Sequence, residues 1–192
     1  IGEEAIQDGF HIIGSHIDSP RLELKGRPLF EASEFALFQT NYHGGIKYHQ
    51  WTNLPLALIG RIDKKDGTSI QVSVGLDTDD PIFMIPELSP HVDRSRNSKT
   101  LAEFITPEDL DPIIGHIPGE DGGDIADQVL AYLSQEYGVT RADLVSAELS
   151  LVPAGAPRDM GFDRGLIAAY GQDDRLASYA ALRAVAEIDH PD

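Results

Sequence analysis

Two short segments of the 192-residue chain combine side chains that can bind a metal ion or carry a proton. In residues 15–20, His16 and Asp18 are two positions apart, so both project to the same side of an extended chain. Imidazole is the commonest metal ligand in proteins, and a nearby carboxylate can hold a ligating histidine in one tautomer. Metal binding is one interpretation. A histidine hydrogen-bonded to a turn aspartate is the other, and the tripeptide alone favours it.

The second segment is the acidic pair Asp173-Asp174, which follows an apolar run and precedes an apolar helical pattern. A single aspartate here has an ordinary explanation as a helix N-cap. Two adjacent acids fit a metal site equally well. Two divalent cations about 3.5–4 Å apart need a bridging carboxylate and several terminal ligands. Together with His16 and Asp18, the acidic pair predicts the beginning of a two-metal hydrolase site.

A third cluster, at residues 41–51, combines two histidines, two tyrosines, a glycine pair and the only tryptophan. Such a cluster can line a pocket or an interface, and a hairpin with aromatic cross-strand pairs explains it equally well.

The chain has no cysteine. This excludes a disulfide framework, a cysteine-ligated zinc site and a thiol nucleophile.

The charge balance narrows the partners that we expect. The chain carries 15 Lys+Arg and 32 Asp+Glu, for a net charge of −17 and an isoelectric point near 4.6. Nucleic acids and anionic membranes are bound by clustered basic side chains, so neither is a predicted partner.

No apolar stretch approaches the about 20 residues of a membrane span, and no signal-peptide pattern is found in residues 1–8, so we predict a cytoplasmic location. The chain begins without methionine and stops just after a helical pattern, so we expect it to be part of a longer protein.

The elements that must position these residues follow from hydrophobic patterning. Apolar and alternating runs predict seven strands, and two 3.6-residue patterns predict helices. The strands are predicted at residues 9–16, 21–25, 35–40, 54–63, 69–74, 144–152 and 165–170, and the helices at 125–137 and 176–188. The outer segments therefore indicate α/β structure, and the middle indicates a β-rich region.

Five blocks of sequence, in this order, resemble the aspartyl aminopeptidase family of two-zinc metalloaminopeptidases. They are Gly-Ser-His-Ile-Asp-Ser-Pro at 14–20, Tyr-His-Gly-Gly-Ile-Lys at 42–47 with Gln50-Trp51, Ile-Pro-Glu-Leu-Ser-Pro-His at 85–91, Glu-Leu-Ser-Leu-Val-Pro-Ala-Gly at 148–155, and Gly-Phe-Asp-Arg-Gly-Leu-Ile-Ala-Ala-Tyr-Gly-Gln-Asp-Asp-Arg at 161–175. Each block is moderately specific, and the ordered set is highly specific.

The resemblance implies an α/β fold: a zinc-exopeptidase-like catalytic sandwich interrupted by a β-rich dimerisation domain, both only partly covered by this chain. Residues 1–25 would be the first catalytic segment. Residues 26–155 would be the insertion, which mediates dimerisation and higher assembly. Residues 156–192 would return to the catalytic domain. The β-rich middle and α/β flanks agree with this division.

The resemblance also implies residue roles. His16 matches a metal ligand, Asp18 the catalytic carboxylate that orients that ligand, and Asp173 the carboxylate that bridges two metals. The peptide bond between Asp173 and Asp174 is expected to be cis. His49 matches a histidine that reaches the substrate site of a neighbouring subunit. The complete enzyme would hold two Zn²⁺ per subunit, with Co²⁺ or Mn²⁺ as replacements.

The activity implied is removal of N-terminal residues from peptides by a metal-activated water, in a homo-oligomer assembled through the insertion. The acidic pair that supplies the family's general base, and two later ligands, would lie beyond residue 192. The chain alone is therefore expected to bind metal weakly and to be inactive. The alternative is a non-catalytic oligomerisation or scaffold module from the same family. A third interpretation, an endopeptidase or carboxypeptidase of another two-metal group, is opposed by the insertion blocks.

Overall fold

The computed structural model describes residues 5–188, apart from the side chains of Ile6 and Asp121. The chain separates into two compact units. The larger unit is Pro20–Ala156, and the smaller one combines residues 5–19 with residues 157–188. Within the described part, no helix has both the length and the apolar character needed to cross a membrane.

The larger unit is built on a six-stranded sheet in the spatial order β4-β3-β6-β1-β2-β5, and every neighbouring pair is antiparallel. The strands are β1 Arg21–Ala32, β2 Phe35–His43, β3 Leu56–Asp63, β4 Ser69–Val74, β5 Ile113–Gly115 and β6 Ala147–Pro153. The same unit contains helices α1 Leu101–Phe104 and α2 Ile125–Tyr137, with 3₁₀ turns at Tyr48–Gln50, Pro107–Asp109, Glu120–Gly122 and Asp143–Ser146. The β-rich middle predicted from the sequence is thus a mainly antiparallel sheet.

The core of this unit lies between the sheet and helix α2, which packs on β1, β2 and β5. Phe38, Leu22 and Leu151 are among its fully buried side chains. Helix α2 has the predicted bounds and ends at Gly138, whose φ of 61° is left-handed. Both features are local, because an apolar stripe specifies the buried face and glycine tolerates the left-handed C-cap.

Strand β1 is longer than the predicted residues 21–25, because it continues to Ala32. Gly26 and Pro28 lie inside it, and both residue types disfavour a regular ladder. The pairing with β2 shifts register between Leu24 and Leu29, where these residues lie. The irregularity lets one strand accommodate residues that would otherwise end it.

The polar residues 93–99 form a loop anchored by Arg96. Its guanidinium donates to Glu87 at 3.0 Å and to Asp109 at 3.2 Å, and it lies 3.6 Å from Asp93. The same group donates to the carbonyl of Phe104 at 3.0 Å. A half-buried guanidinium shared by three carboxylates therefore ties together a stretch with little regular structure.

The smaller unit contains strands β7 Arg158–Met160 and β8 Leu166–Ala168, which pair antiparallel, and helix α3 Gln172–Ala186. A 3₁₀ turn at Ile6–Asp8 precedes them. The strand predicted at residues 9–16 is wrong, since these residues are not in a strand. Apolar, β-branched residues make a strand favourable only when a neighbouring strand completes the ladder. Among the described residues no strand pairs with this segment.

The last two elements are largely exposed, although their apolar patterns favour burial. All three residues of β8 are exposed, and α3 has no buried residue. Its apolar side chains Leu176, Tyr179 and Leu182 are more than half exposed. Apolar patterning indicates which faces favour burial, but a second layer has to cover them.

Gly60 in β3 provides a first test of the sheet. Its φ is +143°, and a Cβ atom there would overlap the carbonyl oxygen of Glu148 on β6. We predict that Gly60→Ala lowers the free energy of unfolding by at least about 2 kcal/mol, from backbone strain plus overlap. Urea titration followed by the fluorescence of buried Trp51 measures this change.

Gly67→Ala is the matched control, because Gly67 also has a positive φ of +86° but has open space around its Cα. It should show the strain alone, about 1–2 kcal/mol. Equal losses in the two variants would contradict the close approach of β3 and β6 at Gly60.

Asp111 provides a second test, through the pH dependence of stability. Its carboxylate accepts a hydrogen bond from the backbone N–H of Thr40 at 3.0 Å. Burial raises the pKa of Asp111 above its ordinary value of 3.8, the charges of Asp109 and Glu108 add to this, and the Thr40 hydrogen bond opposes it. A raised carboxyl pKa favours folding at low pH, and this contribution is lost as the pH rises through the folded-state pKa.

We therefore predict that Asp111→Asn melts about 2–4 °C above the wild type at pH 7, because the amide keeps an acceptor for Thr40 without a buried charge. The difference should shrink as the pH falls through the raised pKa and vanish below about 3.8. Asp79→Asn, the same substitution at an exposed loop position, is the matched control and should melt close to the wild type at pH 7. A constant difference between Asp111→Asn and wild type at all pH values would contradict this cause.

Candidate metal centre

Two segments that carry candidate site residues, 15–19 and 173–178, contact each other in the smaller unit. The Nδ1 atom of His16 contacts the Oδ2 atom of Asp174, 158 positions away. The His16 side chain is 73% exposed and that of Asp174 is 30% exposed. Contact between an imidazole nitrogen and a carboxylate is the arrangement that fixes the tautomer of a metal-ligating histidine.

The acidic pair is positioned by the turn between β8 and α3. Gly171 has a left-handed φ of 89°, a conformation that favours glycine. The side-chain amide of Gln172 donates to the carbonyl of Ile167 at 2.8 Å, which ties the start of the helix to the preceding strand. Asp173 is not helical, with φ −85° and ψ 111°, and its peptide bond to Asp174 is cis, as the resemblance implied.

Hydroxyl groups also join the two segments. The hydroxyl of Ser19, which is 8% exposed, donates to the carbonyl of Asp173 at 2.8 Å. The hydroxyl of Ser178 donates to the carbonyl of His16 at 2.9 Å and lies 2.9 Å from the hydroxyl of Ser15. The backbone on both sides of the His16–Asp174 contact is therefore hydrogen-bonded.

The two acids affect each other's proton affinity. A hydrogen bond with Asp174, followed by the Asp174 charge, raises the pKa of Asp173. The hydrogen bond with Asp173, followed by the one with His16, lowers the pKa of Asp174. The two carboxylates therefore titrate as a coupled pair. A cation bound beside both would offset the repulsion between them.

These donors fit zinc in kind, since imidazole nitrogen and carboxylate oxygen are among its usual protein ligands. The number of donors is smaller than a complete site requires. Over residues 5–188, no group of three or more His, Cys, Asp or Glu side chains is arranged to hold a metal ion. An ordinary zinc site has at least three protein ligands, so His16 and Asp173 would need others beside them.

The roles expected for Asp18 and His49 stay predictions. Asp18 lies two residues after His16 in the smaller unit, and its role as the orienting carboxylate is not tested by the structure. His49 belongs to the larger unit, where it is half-buried in the 3₁₀ turn Tyr48–Gln50. Its carbonyl accepts a hydrogen bond from Thr52 at 3.0 Å.

The aromatic cluster at residues 41–51 has a partly structural role. Trp51 is buried in the core of the larger unit. The rings of Tyr42 and Tyr48 lie 5.1 Å apart in a tilted arrangement, and their hydrogen bond raises the pKa of Tyr48. The core therefore accounts for Trp51, and a local ring pair accounts for the two tyrosines.

Asp174 is the site residue to which sequence reasoning gave no role of its own. The pattern assigned Asp18 to His16, because the two are close in the chain. The structure places Asp174 against the imidazole instead of leaving it as a helix cap. Its position beside Asp173 was the available signal, and adjacent acids do not reveal which of them faces a distant histidine.

Comparison with known proteins gives the site a family context. The sequence model of the aminopeptidase I zinc metalloprotease family (M18) matches residues 1–191. A probable M18 family aminopeptidase 1 from Clostridium acetobutylicum is 44% identical over 191 residues, which are 98% of this chain and 41% of that protein. The chain thus spans about two-fifths of the length of this relative.

Solved structures show the same likeness. The crystal structure of aminopeptidase I from Clostridium acetobutylicum has a TM-score of 0.88 and 42% identity, and the match covers 99% of this chain and 42% of that one. A more distant structure, the mApe1 dodecamer of S. cerevisiae, shares the fold with a TM-score of 0.60 and 24% identity, over 89% of this chain and 37% of that one. With the family match over almost every residue and this mixed α/β likeness, the chain belongs to the aminopeptidase I zinc metalloprotease family, M18.

Proposed function

We propose that this chain supplies part of the active site of a metal-dependent aminopeptidase, which hydrolyses N-terminal residues from peptides. The observation that carries the proposal is the contact between His16 and Asp174, across 158 positions. The ordered family blocks surround both residues, and the family match covers residues 1–191. A scaffold module would need neither the imidazole nor the acidic pair in this arrangement.

His16 and Asp173 are the proposed metal ligands of this chain. A proton on Nδ1 of His16 would be donated to Asp174 and would leave Nε2 with the lone pair that a ligand needs. Asp173 would contribute carboxylate oxygen and act as the bridging ligand. Zinc, when bound, supplies a water of lowered pKa and polarises the scissile carbonyl. The further ligands and the general base are proposed to come from outside these residues.

The two compact units support separate roles for the two parts of the chain. We assign the smaller unit to a zinc-exopeptidase-like catalytic domain, because it holds His16 and both acids. We assign the larger unit to the β-rich insertion, because its antiparallel sheet and helix α2 enclose a core of their own. The boundaries of the compact units, at residues 19/20 and 156/157, lie a few residues from the 25/26 and 155/156 expected from sequence.

Assembly into a homo-oligomer is part of the proposal. The distant mApe1 relative is a dodecamer. His49, in the larger unit, would then reach the substrate site of a neighbouring subunit, and Asp18 would act beside His16. The larger unit would thus serve both assembly and the neighbouring active site.

Substitution of the bridging ligand tests this function. In the intact protein, Asp173→Asn should lose at least one Zn²⁺ per subunit and reduce hydrolysis of an aminoacyl p-nitroanilide more than about 100-fold, because a neutral amide is a poor bridging ligand. Metal content by mass spectrometry and the hydrolysis rate measure the two effects. Zn²⁺, Co²⁺ and Mn²⁺ are each added back to separate preparations.

Asp159→Asn is the matched control, because Asp159 lies exposed in β7 of the same unit and pairs only at 3.4 Å with Arg164. It should keep both metal and activity. Normal turnover and full metal content in Asp173→Asn would refute the assignment. A wild-type protein that assembles but neither binds these metals nor hydrolyses the substrate would favour the scaffold module.

A further inference from the structure

Ser178 makes two hydrogen bonds that hold the His16 segment against helix α3. Its Oγ donates to the carbonyl oxygen of His16 at 2.9 Å, and it lies 2.9 Å from the Oγ of Ser15. A serine hydroxyl has one proton to donate and two lone pairs to accept. Because Ser178 uses its proton on His16, the bond between the two hydroxyls must be donated by Ser15. The Ser178 side chain is thus hydrogen-bonded to two consecutive residues, Ser15 and His16.

The position of Ser178 on helix α3 explains why these two hydrogen bonds matter for the placement of His16. Ser178 and Asp174 are four residues apart, so they lie on the same face of α3, one turn from each other. Asp174 contacts the ring of His16, and Ser178 binds its backbone. The ring and the main chain of His16 are therefore both fixed from one helix face.

A second hydroxyl performs the reciprocal task for the acidic pair. Ser19 donates to the carbonyl of Asp173 at 2.8 Å, and its side chain is buried although residues 9–17 around His16 are exposed. The bond joins the residue three positions after His16 to the proposed bridging ligand. A Cβ atom on Gly171 would lie 3.6 Å from the same hydroxyl, so the turn packs closely around it.

The hydroxyl hydrogen bonds of Ser178 and Ser19 matter for the position of His16 because residues 9–20 have no strand partner among the described residues. A strand would position His16 through a ladder of backbone hydrogen bonds. Here residues 9–20 form no strand, and the bonds from Ser178 and Ser19 contribute contacts that a ladder would otherwise supply.

We propose that Ser178 and Ser19 are positioning residues of the metal centre: Ser178 holds His16 against Asp174, and Ser19 fixes the backbone of Asp173. This inference rests on the proposed function, and it adds residues that do not themselves ligate the metal. Groups that orient metal ligands through hydrogen bonds change metal affinity by about 10- to 100-fold when they are removed.

The test uses Ser178→Ala in the intact protein, with two readouts. Zn²⁺ affinity, measured by competition with a chromogenic chelator, should fall about 10- to 100-fold. In metal-free protein, amide hydrogen exchange of the peptide containing residues 14–18 should accelerate about 5- to 30-fold, because a lost hydrogen bond lowers the free energy of local opening. Ser178→Thr keeps the hydroxyl and should restore most of both properties.

Ser134→Ala is the matched control, since Ser134 is an exposed serine within helix α2 and its substitution brings the same gain in helix propensity. It should change neither readout. Ser19→Ala should also weaken Zn²⁺ binding, and it should accelerate exchange in the peptide that contains residues 172–176. For both Ser178→Ala and Ser19→Ala, kcat at saturating metal should fall more than KM changes, because the proposed role of each hydroxyl is to position metal ligands.

Unchanged Zn²⁺ affinity and unchanged exchange in Ser178→Ala would overturn the inference. Loss of both properties in Ser178→Thr as well would also overturn it, because the hydroxyl would then not be the responsible group. Failure of the proposed function is distinguishable: the wild type would then bind no Zn²⁺, or Asp173→Asn would retain it. If Asp173→Asn loses metal and Ser178→Ala does not, only the positioning role is wrong.

Discussion

The pairing of β1 with β6 is the constraint on which the rest of the structure depends. Leu22 lies opposite Leu151 and Glu23 opposite Ser150, near the place where the chain enters the larger unit and the place where it leaves. Both leucines are fully buried. Strand β6 also pairs along its whole length with β3, from Leu56 opposite Pro153 to Ile62 opposite Ala147. Strand β6, which comes late in the chain, thus joins the β1–β2 and β3–β4 hairpins into one sheet and brings the chain back beside β1.

This return lowers the entropic cost of a site made from distant residues. His16 and Asp174 are 158 positions apart along the chain. Once β1 and β6 are paired, the chain that separates the two residues through this pair is only about 30 residues long, and the logarithmic dependence of loop closure on length makes the difference worth roughly 1–2 kcal/mol. Contacts inside the smaller unit then fix the two segments of the site: His16 contacts Asp174, and the hydroxyls of Ser19 and Ser178 donate hydrogen bonds between the segments.

The adjacent acids at this point favour a bound proton or a bound cation. Asp173 and Asp174 are adjacent acids in a chain of net charge −17; the hydrogen bond between them raises the pKa of Asp173 and lowers that of Asp174, and the nearby His16 opposes the first shift and adds to the second. Two carboxylates held this close lower their mutual repulsion by keeping a proton or by binding a cation. The membership of the chain in a zinc metalloprotease family agrees with the second outcome. His16 and both acids belong to the smaller unit, whereas the larger unit encloses an apolar core of its own.

The amino-acid sequence by itself determined the elements whose signals are local. Helix α2 has its predicted bounds because the apolar stripe and Gly138 lie within the same thirteen-residue element and its cap. The β3–β4 hairpin follows from the turn around Asp66 and Gly67, where Asp66 accepts a hydrogen bond from the N–H of Thr68. The types of residue at the site, one histidine and two acids, are likewise evident from the amino-acid sequence.

Tertiary structure alone decided the features that depend on residues far apart in the chain. It placed β6 between β1 and β3, left residues 9–16 without a strand partner among the described residues, and exposed the apolar faces of β8 and α3. It also set Asp174 against His16, a contact that the local pattern did not predict. The physical reason is common to all of these: periodicity and spacing record what each segment favours, whereas pairing, burial and contact require a second segment, and its identity is not encoded in the local pattern.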